Sequence, residues 1–333
     1  MKKSRIRIIL AMMIILLIGV AGCSDTNESE GQKEELTLML DWYPNAVHSF
    51  LYVAQEKGYF EEEGLDVTIE MPSDVNDPLR LAAAGRIDLA INYQNQLIMS
   101  QEEGIPIKGI ASIVQKPLGE LMFKQEAGIV APKDLEGKSI GLGTSMVPQA
   151  IVRAMIEQDG GNPDAVEFID VGYDLVPALA TDRVDALMGA YINHELLLLE
   201  KEGYPITTIP REEYGIPAAM ELIFVAGDET ISEKPETLKK FLRAVKKGQE
   251  EVVANPEDGL QILLDHQNQD SALDPEVEQQ SLDILLPLMG SDARPFGWQN
   301  AEQFQEVIDW MEQAGIITES FDAETVFIDL LNE

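Results

Sequence analysis

The sequence predicts an α/β fold of two similar lobes, each a mostly parallel sheet flanked by helices, with a ligand cleft between them. Strand-like apolar runs alternate with amphipathic helices, which is typical of this class. One series of motifs recurs about 100 residues further along the chain. The chain of 333 residues is also long for a single core and is a natural length for two lobes.

The N-terminus has the composition of a secretory signal peptide. Basic residues within Lys2–Arg7 precede an apolar run over Ile8–Val20, which ends at Ala-Gly-Cys23. The run is shorter than the roughly 20 residues of a membrane-spanning helix. Val-Ala-Gly-Cys resembles the lipobox of bacterial lipoproteins, which implies cleavage after residue 22 and a diacylglycerol on Cys23. A buried cysteine behind an uncleaved anchor is the alternative.

The region that follows the leader is acidic and polar. Residues 23–35 are predicted to form the lipidated cysteine and a flexible tether, because they contain too few apolar side chains to pack. The whole chain has a formal net charge of −35, and the leader carries no acidic residue, so the remainder is more negative still. Such acidity argues against nucleic acid and against binding to an anionic membrane surface.

The first lobe begins with strand and helix patterns in alternation. Gly58 ends the first predicted helix, and Pro78 lies in the first turn of the second. The predicted strands are Leu36–Leu40, Leu65–Glu70 and Ile87–Ile91, and the predicted helices are Val47–Lys57 and Asp77–Ala84.

An internal repeat indicates the second lobe. "LAAAGRIDLAINY" at Leu81–Tyr93 is matched by "ALATDRVDALMGAY" at Ala178–Tyr191, and "EEGIPI" at Glu102–Ile107 by "KEGYPI" at Lys201–Ile206. The strand-like "KSIGLG" at Lys138–Gly143 would start the second copy. Two matches in the same order predict tandem lobes of similar plan.

The last third of the sequence is mainly helical and is expected to return to the first lobe. Lobe 1 is therefore predicted as discontinuous, over residues 36–130 and 222–333, and lobe 2 as 131–221, with crossings near Gly128–Pro132 and Tyr214–Glu221. The strand-like run Glu221–Val225 precedes predicted helices at Pro235–Ala254, Asp258–His266, Pro275–Leu286, Ala301–Gly315 and Asp322–Leu331.

Polar and aromatic clusters follow the predicted strands at the edge where open α/β sheets bind ligands. These clusters are Asp41–His48, Asn92–Gln96, Gly143–Val147 and Tyr191–Glu195. Two lobes that present such edges to each other would enclose a cleft. "GLGTSMVPQ" could offer backbone amides to an anion or a polar ligand edge, or be only a tight turn.

No catalytic or nucleotide-binding motif is present. The sequence lacks a G-x-x-x-x-G-K-[ST] loop and a G-x-S-x-G elbow, and its single cysteine, Cys23, is the predicted lipidation site. His48, His194 and His266 are too few and too scattered for a typical zinc site. The sequence therefore predicts no enzyme, no cofactor and no metal.

The clusters supply flat rings for stacking and groups that can pair with ring nitrogens. Several roles stay open: Trp42 could be core, Tyr43 and Pro44 could only shape the turn, Glu195 could be a helix-surface acid, and Glu221 requires a partner. Asp41 and His48 stay undecided between structure and ligand. The candidate ligand-binding residues are Asp41, Trp42, Asn45, His48, Tyr93, Gln94, Tyr191, Glu195 and Glu221.

The stretch "DWYPNAVH", with "YVAQEKGYFEEEGLDV" and "AAGRIDLAI", resembles the thiamine-pyrimidine precursor binding family. That family contains ThiY-type substrate-binding lipoproteins of ABC importers and the fungal synthase of the thiamine pyrimidine. The resemblance runs from Leu36 to about Val225. It implies a type II periplasmic-binding-protein fold that closes over an aminopyrimidine, with Trp42 and Asn45 facing Tyr191 and Glu195 across the ligand.

The features of the fungal enzyme are absent. Its lysine and histidine after the third strand match Asn92 and Gln96 here, and its cysteine cluster matches Ile216–Met220. The resemblance therefore implies a lipid-anchored receptor on the extracytoplasmic face of the cell membrane. Its expected partners are an aminopyrimidine such as N-formyl-4-amino-5-aminomethyl-2-methylpyrimidine, an ABC permease and its ATPase, and the chain is expected to be a monomer.

Two alternatives stay open. One is a pyrimidine synthase-like enzyme, and the other is a receptor for an alkanesulfonate, nitrate or riboflavin, which related two-lobed receptors carry. An anionic ligand would need Arg or Lys at the cleft edges, and the clusters contain neither. Their acidic residues, Asp41, Glu195 and Glu221, would repel an anion.

Overall fold

The computed structural model describes residues 33–143, 147–267, 272–290 and 293–331. The predicted signal peptide, Cys23 and the tether up to residue 32 lie outside the described residues, as do residues 144–146 of "GLGTSMVPQ". Among the described residues, no helix is long and apolar enough to cross a membrane.

Within the described ranges, ten strands form two five-stranded sheets. The first sheet has the order β2-β1-β3-β10-β4 and the second β7-β6-β8-β5-β9. The strands are β1 Glu34–Met39, β2 Leu65–Glu70, β3 Leu89–Asn92, β4 Ile107–Val114, β5 Leu121–Lys124, β6 Ser139–Leu142, β7 Glu167–Asp170, β8 Ala186–Met188, β9 Ile206–Ile209 and β10 Leu222–Gly227.

The two sheets have the same plan, as the internal repeat predicts. In each sheet three strands follow one another in parallel register, and a single antiparallel strand pairs with both the third strand and the edge strand. The antiparallel strand of the first sheet is β10, and that of the second is β5. Four of the five strands in each sheet therefore run in one direction, which confirms the predicted two-lobed, mostly parallel fold.

Helices cover the sheets. We number the described α-helices α1 Ser49–Glu56, α2 Tyr59–Glu62, α3 Asp77–Ala83, α4 Gln94–Glu102, α5 Val147–Gln158, α6 Leu175–Ala180, α7 Glu195–Lys201, α8 Asp228–Glu233, α9 Pro235–Ala254, α10 Pro256–Asp265, α11 Pro275–Leu285 and α12 Ala301–Gln313.

The first crossing between the lobes comes earlier in the chain than expected. Strand β5 pairs with β8 and β9 of the second sheet, although Leu121–Lys124 lies inside the range 36–130 that the sequence assigned to lobe 1. The chain therefore crosses between Val114 and Leu121, not at Gly128–Pro132. Strand β5 has only four residues, which is too short to show a period, so the sequence pattern does not reveal it.

The return crossing lies between β9 and β10, after which the chain covers the first lobe. Helix α9 packs closely on α1: a Cβ on Gly248 would lie 2.2 Å from the Phe50 carbonyl oxygen, so only glycine allows this approach. Phe241 of α9 stacks on Phe60 and meets Phe224 of β10 edge to face. This packing fixes α1, which begins one turn after the first cleft loop.

The predicted helix at Asp322–Leu331 is wrong. Only Ala323–Thr325 is helical, as a short 3-10 turn. The chain then runs beside β4, where Gly109 N–H donates to the Val326 carbonyl and Ile328 N–H donates to the Gly109 carbonyl. Backbone hydrogen bonds to the exposed edge of β4 satisfy this segment, so tertiary pairing replaces the helix.

Candidate functional site

A cleft of about 840 Å³, part of it open to solvent, lies between the two lobes at the carboxyl ends of the parallel strands. The first lobe provides a mostly polar wall that includes Asp41, Trp42, Asn45, Tyr93, Asn95 and Gln96. The second lobe provides an apolar wall of Val147, Pro148, Ile151, Leu175 and Met188.

Trp42 belongs both to the cleft and to the contact between the lobes. It follows β1, lines the cleft and packs against the hydrophobic core of the second lobe. Its ring centroid lies 4.4 Å from that of Tyr173, with 54° between the planes. The sequence left open whether Trp42 is a core residue or a cleft residue. Its ring is both, because it packs on the core of the second lobe and lines the cleft.

Asp41 and His48 form a buried pair at the base of the polar wall. His48 Nε2 lies 3.0 Å from Asp41 Oδ1, and Tyr93 donates its hydroxyl to Asp41 Oδ2 over 3.1 Å. His48 Nδ1 accepts from the Asn45 N–H, so the ring is held from both sides. His48 does not line the cleft, whereas Asp41 does. His48 thus orients Asp41 and the loop from behind.

Asn45 is engaged in capping as well as facing the cleft. Its side-chain oxygen accepts from the Val47 N–H at the start of the 3-10 helix Ala46–His48, and its amide donates to the Tyr43 carbonyl. This arrangement fixes the side chain in one orientation. The amide therefore faces any ligand from a preset position.

The residues after β3 divide between the cleft and the core. Tyr93, Asn95 and Gln96 line the cleft. Gln94, a predicted ligand residue, is fully buried and accepts from the Met220 N–H over 2.6 Å, and it is not part of the cleft wall. The helix α4 starts at Gln94, so its side chain points to another face than those of its two successors.

The second lobe places Tyr191 and Glu195 at the polar end of its wall. Glu195 Oε2 accepts from the Tyr191 N–H over 2.8 Å, and Oε1 makes no hydrogen bond to any described residue. Glu195 opens α7, where the helix dipole favours a carboxylate. The Glu195 side chain is buried and lines the cleft, and within the described part of the chain only one of its two carboxylate oxygens accepts a hydrogen bond.

Glu221 has the partner that its sequence position requires, and that partner is Arg211. The Glu221 Oε2 atom lies 3.3 Å from Arg211 Nη2 and accepts from the N–H groups of Leu118 and Gly119. Tyr191 donates its hydroxyl to Glu221 Oε1 over 3.3 Å. Glu221 thus ties both crossing segments to the cleft wall.

Arg211 is a cleft residue that the sequence did not reveal. It lies on the 3-10 helix Arg211–Tyr214 in the return crossing, only 5% exposed. The polar clusters that follow the strands contain no Arg or Lys, and it is the return crossing that adds a cation to the cleft wall. The one sequence feature that pointed to Arg211 was that Glu221, at the start of an apolar strand, needs a partner. That feature did not indicate which residue the partner would be.

Two tyrosines in the cleft keep their protons. Burial, with the carboxylates of Asp41 and Glu221 nearby, raises the pKa of Tyr93 well above its ordinary value, and the pKa of Tyr191 is raised mainly by burial and by Glu221. Both hydroxyls donate to carboxylates. They act as fixed hydrogen-bond donors rather than as acids.

His194 lines the cleft and also links the two lobes. Its Nε2 atom lies 2.7 Å from the Tyr43 hydroxyl, and its Nδ1 atom lies 3.6 Å from Glu278 Oε1 of α11. Glu278 also accepts from the Ala46 N–H. Burial raises the pKa of Glu278, although the charges of His194 and His48 and the Ala46 N–H oppose this shift.

The cleft is built for binding. Rings, hydroxyls and carboxylates converge on it, and no group of three or more His, Cys, Asp or Glu residues in the described part of the chain could hold a metal ion. An apolar wall opposite a polar one suits a flat ligand with an edge of donors and acceptors.

Several known proteins are similar to this chain in sequence or in fold. The chain is 40% identical over 323 residues to the formylaminopyrimidine-binding protein of Halalkalibacterium halodurans, covering 94% of this chain and 97% of the relative. It is 25% identical over 233 residues to the 4-amino-5-hydroxymethyl-2-methylpyrimidine phosphate synthase THI11 of Saccharomyces cerevisiae, covering 67% of this chain and 68% of that enzyme.

Among solved structures, the alkanesulfonate-binding protein SsuA from Xanthomonas axonopodis pv. citri, bound to MOPS, has the same fold. The TM-score is 0.71 at 13% identity, over 90% of this chain and 99% of SsuA. The fold is therefore that of a periplasmic binding protein. Residues 45–259 match the family described as NMT1/THI5 like. With the 40% identical relative, this match shows that the chain belongs to the NMT1/THI5-like family.

Proposed function

We propose that the protein is the extracytoplasmic substrate-binding protein of an ABC importer and that it captures an aminopyrimidine precursor of thiamine, such as N-formyl-4-amino-5-aminomethyl-2-methylpyrimidine. The observation that carries the proposal is buried Glu195, whose Oε1 has no hydrogen-bond partner among the described residues, in a cleft lined by aromatic rings. A carboxylate oxygen without a protein partner suits the amino edge of an aminopyrimidine. The name of the 40% identical relative supports the same ligand class.

The two walls divide the recognition of such a ligand. Trp42 and Tyr191 offer ring faces or edges to the flat heterocycle, and Asn45 and Glu195 offer hydrogen-bonding groups to its nitrogen atoms. The apolar wall around Leu175 covers the methyl-bearing side. Binding to both lobes at once favours the closed arrangement, which a permease and its ATPase then distinguish from the open one.

An enzyme is the less favoured function. Asn92 and Gln96 occupy the positions at which the fungal synthases have lysine and histidine, by the resemblance described above. Asn92 is 1% exposed and does not line the cleft. Iron or pyridoxal phosphate in protein purified from its source would favour a synthase instead.

An anion receptor is also less favoured, although Arg211 lines the cleft. Arg211 is already paired with Glu221, and Asp41 and Glu195 add negative charge to the same space. The cleft therefore favours a neutral or basic ligand over an alkanesulfonate or nitrate.

Calorimetric titration of the purified protein tests the proposal with a panel of ligands. The panel contains formylated and hydroxymethylated aminopyrimidines, thiamine, riboflavin, an alkanesulfonate and nitrate. We expect the aminopyrimidines to bind most tightly. Binding of anions without binding of aminopyrimidines would refute the proposal.

The proposed location is the outer face of the cell membrane, through a lipid on Cys23. We expect Cys23→Ser to release the protein from the membrane fraction, without effect on ligand affinity because the cleft lies in the folded lobes. Size-exclusion chromatography with light scattering should find a monomer. Retention of the Cys23→Ser variant on membranes would contradict the lipid anchor.

A further inference from the structure

Tyr173 of the second lobe makes two contacts with the first lobe. It lies in the loop between β7 and α6, and its ring packs on Trp42 at a centroid distance of 4.4 Å. Its hydroxyl donates to the carbonyl oxygen of Pro72, in the loop after β2, over 3.1 Å. One side chain therefore joins a cleft residue and a backbone group of the opposite lobe.

The Trp42 ring is seated in the second lobe rather than in its own. It packs against the cluster that includes Val171 and Leu175. A Cβ on Gly143 would lie 3.6 Å from Trp42 Cη2, an ordinary van der Waals distance, so the ring lies against the backbone that follows β6. The position of Trp42 thus depends on how the two lobes approach each other.

The Tyr173 hydroxyl is a permanent donor at physiological pH. Partial burial, with the carboxylates of Asp41, Asp74 and Asp77 nearby, raises the pKa of Tyr173 to about 12. The hydrogen bond to Pro72 therefore persists over the pH range in which the protein would operate.

We propose that Tyr173 is a positioning residue for ligand binding: it locks the two lobes in the closed arrangement through Pro72 and holds the Trp42 ring in place at the ligand. Because both contacts join opposite lobes, they form only as the lobes close. They slow reopening and have little influence on the first encounter with the ligand. Only the identity of the ligand in this proposal rests on the proposed function.

Two substitutions separate the contacts. Tyr173→Phe removes the hydrogen bond and keeps the ring, whereas Tyr173→Ala removes both. With a formylated aminopyrimidine as the probe, we expect affinity to fall about 3-fold to 10-fold for Tyr173→Phe, in line with one hydrogen bond, and about 30-fold to 100-fold for Tyr173→Ala. Stopped-flow measurements should attribute both losses to faster dissociation.

Tyr204→Phe is the matched control, since Tyr204 also belongs to the second lobe and packs on the same cluster, away from the cleft. We expect it to bind like the wild type. Any of three results would overturn the proposal. Tyr173→Ala could bind as tightly as the wild type, Tyr204→Phe could lose as much affinity as Tyr173→Phe, or the Tyr173 variants could differ from the wild type only in the association rate.

A second measurement needs no ligand. Spin labels on Val130→Cys in the second lobe and Val253→Cys in the first, both exposed, in a Cys23→Ser background, report the distance between the lobes. We expect Tyr173→Ala to shift the distance distribution toward the open state. An unchanged distribution would contradict the lock. Failure of the wild type to bind any aminopyrimidine would contradict the proposed function and leave the label result to decide the lock.

Discussion

The two lobes have the same strand order and differ in the chemistry of their cleft walls. In the first lobe, the loops after β1 and β3 carry Asp41, Trp42, Asn45 and Tyr93. In the second, the described cleft residues on α5 after β6 are apolar, and the polar side chains after β8 are Tyr191, His194 and Glu195. The sheets therefore fix where a ligand lies, and the loops decide what it can be.

The crossing segments differ from both walls because they carry the ion pair of Arg211 and Glu221. The largest effect that we predict is on this pair. Arg211→Met should lower the free energy of unfolding by about 3 kcal/mol, because it leaves a buried carboxylate without its cation. Urea denaturation measures this loss.

The charge-balanced double variant Arg211→Met/Glu221→Gln is the control. Its glutamine can still accept from the Leu118 N–H, so we expect it to recover most of the stability. Equal stabilities of the single and double variants would show that an unpaired charge is not the cause.

On the polar wall, we expect the Trp42 ring to contribute most to ligand affinity. Trp42→Ala removes the contact with ligand and the seat in the second lobe, so we expect affinity for the aminopyrimidine to fall about 100-fold. Trp42→Phe, which keeps a ring, should lose much less. Calorimetry gives both values, and circular dichroism checks the fold. A variant that unfolds would indicate that Trp42 serves packing alone.

Glu195, at the polar end of the second-lobe wall, should contribute less to ligand affinity than Trp42. Glu195→Gln keeps an acceptor for the Tyr191 N–H but replaces the free oxygen with an amide donor. We expect about tenfold weaker binding of a ligand that presents an amino group. A ligand with an acceptor at that edge should lose less, and equal losses for both ligands would argue against a direct contact.

The fold and the cleft loops were predictable because their signals are local. Strand and helix periods alternate along the chain, and the residues that follow a parallel strand must lie at its carboxyl edge. Trp42, Tyr191 and Glu195 line the cleft for this reason. Gln94 follows its strand just as closely, but one step of helical rotation turns its side chain into the core.

Arg211 and β5 were not predictable because their roles depend on distant partners. Arg211 becomes a cleft residue only when the return crossing lies beside the segment of Leu118 and Gly119. Strand β5 exists because β8 and β9 flank it. Neither relation leaves a period or a spacing in the sequence, so only the assembled fold reveals it.

The smallest effect concerns Glu278 of α11, which lies between the lobes beside His194. Its raised pKa means that the folded protein holds this proton more tightly than the unfolded chain does, so the contribution to stability is full below about pH 4.5 and is lost as pH rises through the folded pKa. Glu278→Gln cannot ionise and can still accept from the Ala46 N–H. The stability of the variant relative to the wild type should therefore increase from pH 4 toward neutrality.

Urea midpoints of both proteins between pH 4 and pH 8 test this sign. A second variant, His194→Gln, removes the histidine that lowers the pKa of Glu278, and in its background the pH-dependent gain from Glu278→Gln should be larger. A relative stability that falls with pH would mean that the charge of His194 outweighs burial at Glu278. The contact between His194 and Glu278 would then be an ion pair that stabilises the closed arrangement, and Glu278 would not be a buried acid that destabilises it.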